Sequence, residues 1–186
     1  MSSVVSPVYN HRNGSSIDEL DSRTTKRMKT SHENDDEIDL DKYNDGNIVK
    51  IKLKNFVTYS KTEFILSPTL NMIIGPNGTG KSTFVCAICL GLGGKPELLG
   101  RQKYAVDFIK EGEDFCFIEI TLKFDHRDKK TITIRREMTR SPKAKSKEKS
   151  EWFVDNAKKD ERVIAKLLKH LNLQLNNLCC FLPQDK

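Results

Sequence analysis

Residues 75–82 read GPNGTGKS, and their types and spacing fit one chemistry, the binding of a phosphate chain. The run matches G-x-x-x-x-G-K-[ST]. Gly75, Gly78 and Gly80 carry no Cβ, so the backbone can take positive φ and come close to an anion. Successive N–H groups from about Asn77 to Ser82, with Pro76 and Thr79 set between the glycines, can then wrap a β-phosphate. The Lys81 ammonium reaches β and γ oxygens, the Ser82 hydroxyl ligates Mg²⁺, and Thr83 contacts the α-phosphate. A helix beginning at Lys81 adds its free amides and the positive end of its dipole. The plain alternative is an ordinary Gly-rich turn between a strand and a helix. An apolar strand before the loop and an apolar helix after it favour the phosphate reading.

Other candidates for chemistry are weaker. Cys86 and Cys89 form a CxxC, but it stands alone inside an apolar helical run, as small core residues do. Cys179 and Cys180 sit beside Leu178 and Phe181 and read the same way. Lys26 to Lys29, KRMK, is a basic cluster that suits a nuclear localisation signal, though chance clusters of this kind are common in polar tails.

The elements that must hold the loop follow from pattern. NIVKIKLKNF alternates as a strand with one wet face, and KTEFIL is a second strand. NMIIG reads as a brief, fully covered apolar strand. STFVCAICLGLGG is apolar on all sides and predicts a buried helix, closed by Gly93 and Gly94. FCFIEITLKF and TITIRREM predict a hairpin joined by DHRDKK, and EWFVDN a further strand. Val163, Ile164, Leu167, Leu168 and Leu171 recur at helical spacing between Lys158 and Leu171. Ser141 to Ser150, SPKAKSKEKS, reads as a basic surface loop.

Composition divides the chain in two. Residues 1–46 carry 6 Lys/Arg against 10 Asp/Glu, a net of −4, and their few apolar residues follow no period, which predicts a disordered tail. Residues 47–186 hold the other 26 Lys/Arg and 16 Asp/Glu, a net of +10. About 140 residues suffice for one core. The positive surplus points to a polyanionic partner, with a plain basic domain as the alternative. There is no run of about 18 apolar residues and no secretory h-region, so a membrane span and a secretory route are not expected and the thiols should be reduced.

A phosphate loop does not by itself choose among kinases, GTPases, helicases and ABC-type ATPases. The stretch IVKIKLKNFVTYSKTEFILSPTLNMIIGPNGTGKST resembles the start of the head of the structural maintenance of chromosomes (SMC) ATPases. LGLGGKPELLGR and the closing LNLQLNNLCCFLPQDK resemble the SMC-five type, partner of the SMC-six type in a DNA-repair complex. The resemblance covers about residues 47–186. It implies an α/β P-loop fold of ABC type, a mixed sheet with an antiparallel portion, N-terminal lobe only.

It also implies roles. Gln184 matches the glutamine that helps hold Mg²⁺ and order water near the γ-phosphate, and an amide offers both an oxygen and a donor. Arg101 falls where heads of this family carry an arginine near phosphates or DNA. Lys54, Asn55 and Phe56 fall where the first loop passes adenine and ribose; read without the family, they are a strand end with one buried Phe.

The implied cofactors are ATP and Mg²⁺. The implied partners are a second SMC head, a C-terminal lobe, a kleisin with accessory subunits, and DNA, in the nucleus on chromosomes. DNA would meet Lys143, Lys145, Lys147 and Lys149 with Arg135, Arg136 and Arg140. No apolar strand followed by an acidic pair, and no Ser-Gly-Gly signature, occurs after the loop. In the family both belong to the C-terminal lobe, so this chain is expected to be one half of a split head, inactive alone. The rivals are other P-loop repair ATPases of RecN, RecF or zinc-hook type, a small P-loop kinase, and a non-enzymatic basic nucleic-acid binder.

Overall fold

Alternating apolar residues build the sheet that the phosphate loop leans on. The computed structural model describes residues 3–4, 38–76, 78–100, 102–126, 129–140 and 149–175. Strands β2 (Ile48–Phe56), β3 (Tyr59–Ile65), β5 (Phe115–His126), β6 (Lys129–Thr139), β7 (Lys149–Val154) and β8 (Ala157–Lys159) form one six-stranded sheet, in the order β3-β2-β5-β6-β7-β8. Every neighbouring pair in it is antiparallel. Ile51 and Leu53 face inward from β2, Cys116, Ile118, Ile120 and Leu122 from β5, and Ile132, Ile134 and Met138 from β6.

Two helices cover that inner face. Helix α1 (Lys81–Gly91) is apolar nearly all round and buries Phe84, Cys86, Ala87, Cys89 and Leu90. It lies so close that a Cβ on Gly91 would stand 2.6 Å from Ile118 Cγ2 and 2.7 Å from Ile120 Cδ1. Only glycine fits there. Helix α2 (Glu161–His170) is amphipathic, buries Ile164 and Leu168, and starts at Asp160, whose carboxylate accepts from the Arg162 amide.

The outer face is charged and paired. Glu63 lies 3.3 Å from Lys50, Glu119 3.7 Å from Lys52, and Glu137 3.1 Å from Arg135. Half-exposed surface pairs of this kind contribute on the order of 1 kcal/mol or less each, so the core carries the stability.

The structure departs from the sequence reading at five places, one of them the loop expected over Ser141 to Ser150, whose last two residues open β7. Structured chain begins ahead of Asn47: a 3-10 turn at Leu40–Lys42 precedes Tyr43, which is buried and bonds the Leu66 carbonyl through its hydroxyl. The NMIIG stretch is not a fully covered strand. Only β4 (Asn71–Met72) is extended pairing, parallel to β1 (Ser3–Val4), and Met72 and Ile74 are 48% and 66% exposed. Ile73 between them is half-buried against the core, so the stretch is covered on one face and open on the other. Lys158 and Lys159 belong to β8 rather than to a helix, which starts only at Glu161. Arg136, grouped with surface cations, is buried at 7% exposure. The KRMK cluster lies outside the described residues.

Candidate nucleotide-binding site

Strand β4 runs into residues 73–80, which turn directly into α1. Gly80 is the N-cap, at φ +98°, and Gly78 lies at φ +86°. These are the left-handed angles expected of the loop glycines. A Cβ on Gly75 would stand 2.7 Å from Thr79 Oγ1, so the loop closes tightly on itself, and the Thr79 hydroxyl donates to the Pro76 carbonyl at 2.8 Å. Lys81 lies across the mouth, donating to the carbonyls of Gly75 at 2.6 Å and Pro76 at 2.7 Å. The ammonium therefore stands where the loop's backbone converges.

The helix end facing this loop has no side-chain cap and no acidic residue in its first turn. Its first-turn amides have no acceptor within the helix, and its dipole is uncompensated there. Such an end attracts an anion. Ser82 sits in that first turn with its hydroxyl chemistry suited to Mg²⁺, and Thr83 is buried at 7% exposure. The donors, the lysine and the hydroxyl fit a polyphosphate with its divalent cation. Among the described residues no group of three His, Cys, Asp or Glu side chains forms a metal site of its own.

A second turn supports the loop, and the sequence reading missed its key residue. The Tyr59 hydroxyl donates to the Gly80 carbonyl at 3.3 Å and lies 3.5 Å from that of Thr79. Tyr59 opens β3 after a turn in which Asn55 and Val57 take φ of +51° and +48°. For a β-branched residue that angle is strained. Cross-bonds hold it: the Val57 amide to Phe108 O at 2.8 Å, and Asn55 Nδ2 to Glu113 at 2.9 Å. The signal for Tyr59 was an aromatic at a strand start beside a proposed ligand loop.

Other expected site residues fare unevenly. Phe56 is wholly buried and stacks on Phe108, so it is core and not a ligand contact. Lys54 is exposed at the same end of the sheet. Arg135 is ion-paired on the outer face, Arg140 donates to Ile109 O at 3.1 Å, and Arg136 turns inward, so the expected cluster of three surface arginines does not form. Asn77, Arg101, Lys143, Lys145, Lys147 and Gln184 lie outside the described residues, and of Lys149 only the strand backbone is described. Cys86 and Cys89 are buried thiols. An apolar groove of about 670 Å³ between α2 and the loop after α1 lies at the other end of α1, away from the phosphate loop.

Residues 50–186 match the family described as AAA domain. Structural maintenance of chromosomes protein 5 of Schizosaccharomyces pombe is 51% identical over 142 residues, covering 76% of this chain and 12% of that protein. The Arabidopsis thaliana protein of the same description is 38% identical over 167 residues, covering 90% and 15%. A solved structure described as "Structural biochemistry of ATP-driven dimerization and DNA stimulated activation of SMC ATPases" superposes with a TM-score of 0.60 at 24% identity, over 68% of this chain and 80% of that one. The chain thus belongs to the AAA-domain family of nucleotide-binding proteins and, within it, is an N-terminal SMC-head segment of the SMC-five type. It spans about an eighth of the length of these curated relatives.

Proposed function

We propose that this chain is the N-terminal half of an ATP site in a chromosome-organising ATPase that acts in DNA repair and recombination in the nucleus. The observation that carries this reading is Lys81 held across a loop of left-handed glycines at the uncapped end of α1. Main-chain amides of residues 77–82 would hold the β-phosphate, and the Lys81 ammonium would neutralise charge on the β and γ oxygens. Ser82 and Gln184 would hold Mg²⁺, which would supply charge compensation to the phosphates. Thr83 would face the α-phosphate, and Arg101 the phosphates or DNA. Bound ATP joins two heads, and hydrolysis lets them part.

A C-terminal lobe completes the head on this reading. Exposed Ile65, Leu70, Met72 and Ile74, from 48% to 66% accessible, cluster in sequence on the approach to the phosphate loop and supply an apolar face for it. The chain alone should aggregate and be rescued by co-expression with that lobe; a soluble, cooperative monomer counts against this. The second head, of SMC-six type, and a kleisin with accessory subunits are the further partners implied by membership.

DNA is the polyanion for the basic surplus. Lys54 and Lys61 stand directly opposite each other in the β2–β3 register, both exposed and without an ion pair among the described residues. Like charges so placed repel unless an anion lies between them. They share one end of the sheet with Lys110, bonded to Ser60, and with the point where β6 gives way to residues 140–148. Neutralising Lys54 and Lys61 should lower the salt slope of DNA binding by about one each; an unchanged slope removes them.

The deciding experiment is calorimetry with ATP and Mg²⁺ on the chain paired with its complementary lobe. Binding should be lost on Lys81→Ala. No heat from a folded wild-type sample would end this reading, and steady turnover by the isolated chain, lost on Lys81→Ala, would refute the half-site.

A further inference from the structure

We infer that Arg136 is a positioning residue for nucleotide binding: its guanidinium pins the far end of α1 and so sets where the phosphate loop stands at the near end. The inference rests on the ATP-site reading above.

Helix α1 is gripped almost entirely by apolar contacts, and apolar burial is non-directional. It holds the helix against the sheet without fixing its tilt or its slide. Directional bonds must do that, and the described residues supply them at both ends. At the loop end, Tyr59 donates to the Gly80 carbonyl. At the other end, Arg136 Nη1 donates to the Leu90 carbonyl at 3.1 Å, in a buried setting.

The guanidinium is itself fixed. Its Nε and Nη2 reach Ser150 Oγ at 3.3 Å and 3.1 Å, and its Cζ lies 4.8 Å from the centre of the Trp152 ring. Arg136 faces Trp152 across the β6–β7 register and Ile118 across β5–β6, the same Ile118 that touches Gly91. A planar fork can serve the helix carbonyl and the strand hydroxyl together; an ammonium on a flexible stem cannot hold both in one plane. A cation here also complements the negative end of the α1 dipole, while phosphates would occupy the positive end.

The geometry makes α1 a lever. Eleven residues span about 16 Å, so a tilt of about 5° about the Leu90 end moves the loop end by about 1.4 Å. Displacements of about 1 Å can cost about a hundredfold where groups must be positioned. Binding is reciprocal: if the clamp sets the loop, phosphates on the loop must in turn tighten the clamp. Trp152, the single tryptophan of the chain, lies beneath the guanidinium and reports it.

The test uses the chain in complex with the lobe that completes the head. ATP–Mg²⁺ affinity is measured for wild type, Arg136→Met, Arg136→Lys, Lys81→Ala and a stability control, Ile164→Ala on α2, all well below their melting temperatures. Trp152 emission is taken as the difference from a Trp152→Phe complex. Arg136→Met should weaken ATP by about tenfold or more, the lysine variant should recover part of it, and the control should stay within about twofold of wild type. ATP should shift Trp152 emission in wild type and not in Arg136→Met.

Arg136→Met binding ATP like the control, while Lys81→Ala abolishes binding, would overturn the positioning role and leave the site intact. Lys81→Ala binding normally would instead overturn the ATP-site reading, and this inference with it. Should Arg136→Met fail to fold, the lysine variant and the wild-type emission decide: unchanged affinity and no shift sink the proposal.

Discussion

Alanine at Gly80 tests whether the phosphate loop is shaped by its own backbone or by the turn beside it. Gly80 lies at φ +98°, where an L-residue costs about 1–2 kcal/mol. A Cβ there would also stand 2.6 Å from the Tyr59 hydroxyl, 2.7 Å from its Cζ and 3.0 Å from Thr58 Oγ1. Tyr59 cannot swing aside freely. Its ring is 3% exposed and packs edge-on against Phe64, which packs edge-on against Phe84 of α1. Forcing such a ring off its rotamer costs about 0.5–1.5 kcal/mol.

Gly78 supplies the comparison. It has φ +86° but open space around its would-be Cβ, so Gly78→Ala carries the backbone cost alone. Gly80→Ala should therefore lose about 2–3 kcal/mol and Gly78→Ala about 1 kcal/mol less, a gap of about 2–4 °C in Tm for a domain of this size. Thermal unfolding of both variants, repeated in a Tyr59→Leu background, reads the two terms separately. The gap should close when the ring is gone. Equal losses in the Tyr59 background would show that the neighbouring turn does not shape the loop.

Three further outcomes follow from the packing. Burial pushes the thiols of Cys89 and Cys116 up to about 12, while an unfolded thiol titrates near about 8.5. The native state then keeps protons that the unfolded chain releases, so stability is full below about pH 8.5 and falls above it by up to about 1.4 kcal/mol per pH unit per thiol. Urea midpoints at pH 8 and pH 10 should show this fall in wild type and not in a Cys89→Ala, Cys116→Ala variant. Phe56→Ala, which removes a wholly buried ring stacked 5.9 Å from Phe108, should cost about 3–5 kcal/mol in urea unfolding. Tyr43→Phe should cost about 1 kcal/mol by removing the bond to the Leu66 carbonyl; no change in midpoint would mean that the segment ahead of Asn47 adds nothing to the fold.

Much of the fold was written in local pattern because each strand has one wet face. Lys50, Lys52 and Lys54 alternate with Ile51 and Leu53, and one choice of register satisfies both sets from Lys50 onward, the irregularity of β2 lying before it at Val49. Helix α1 was legible for the opposite reason, having no polar face until Lys81 and Ser82 begin it. What escaped was structure without hydrophobic contrast. Strand β8 is exposed at all three residues and so has no period to read. Its turn was readable: Asp155 and Asn156, at φ +47° and +66°, join Val154 to its partner Ala157, and Asp and Asn favour such two-residue hairpins. The exposure of Met72 and Ile74 could not be read from NMIIG, since an apolar run is the same whether or not anything covers it.

The site divides along the same line. GPNGTGKS gave loop, lysine and hydroxyl together because the motif's chemistry is local, carried by residues adjacent in sequence. The supports are not local. Tyr59 reaches Gly80 across 21 positions and Arg136 reaches Leu90 across 46. Yet Arg136 did leave a trace: it shares the parity of Ile132, Ile134 and Met138 in β6, all of which point inward. Judged by charge, Arg136 belongs with its neighbour Arg135 on the surface; judged by period, it belongs in the core. Period is the stronger witness, because a strand cannot turn one side chain over without a bulge, and none interrupts β6 between Ile134 and Met138. A cation at an inward position of an otherwise apolar strand is thus a sequence-level sign that a buried carbonyl or carboxylate waits opposite. Here the carbonyl is that of Leu90, at the end of the helix whose other end meets the phosphate loop.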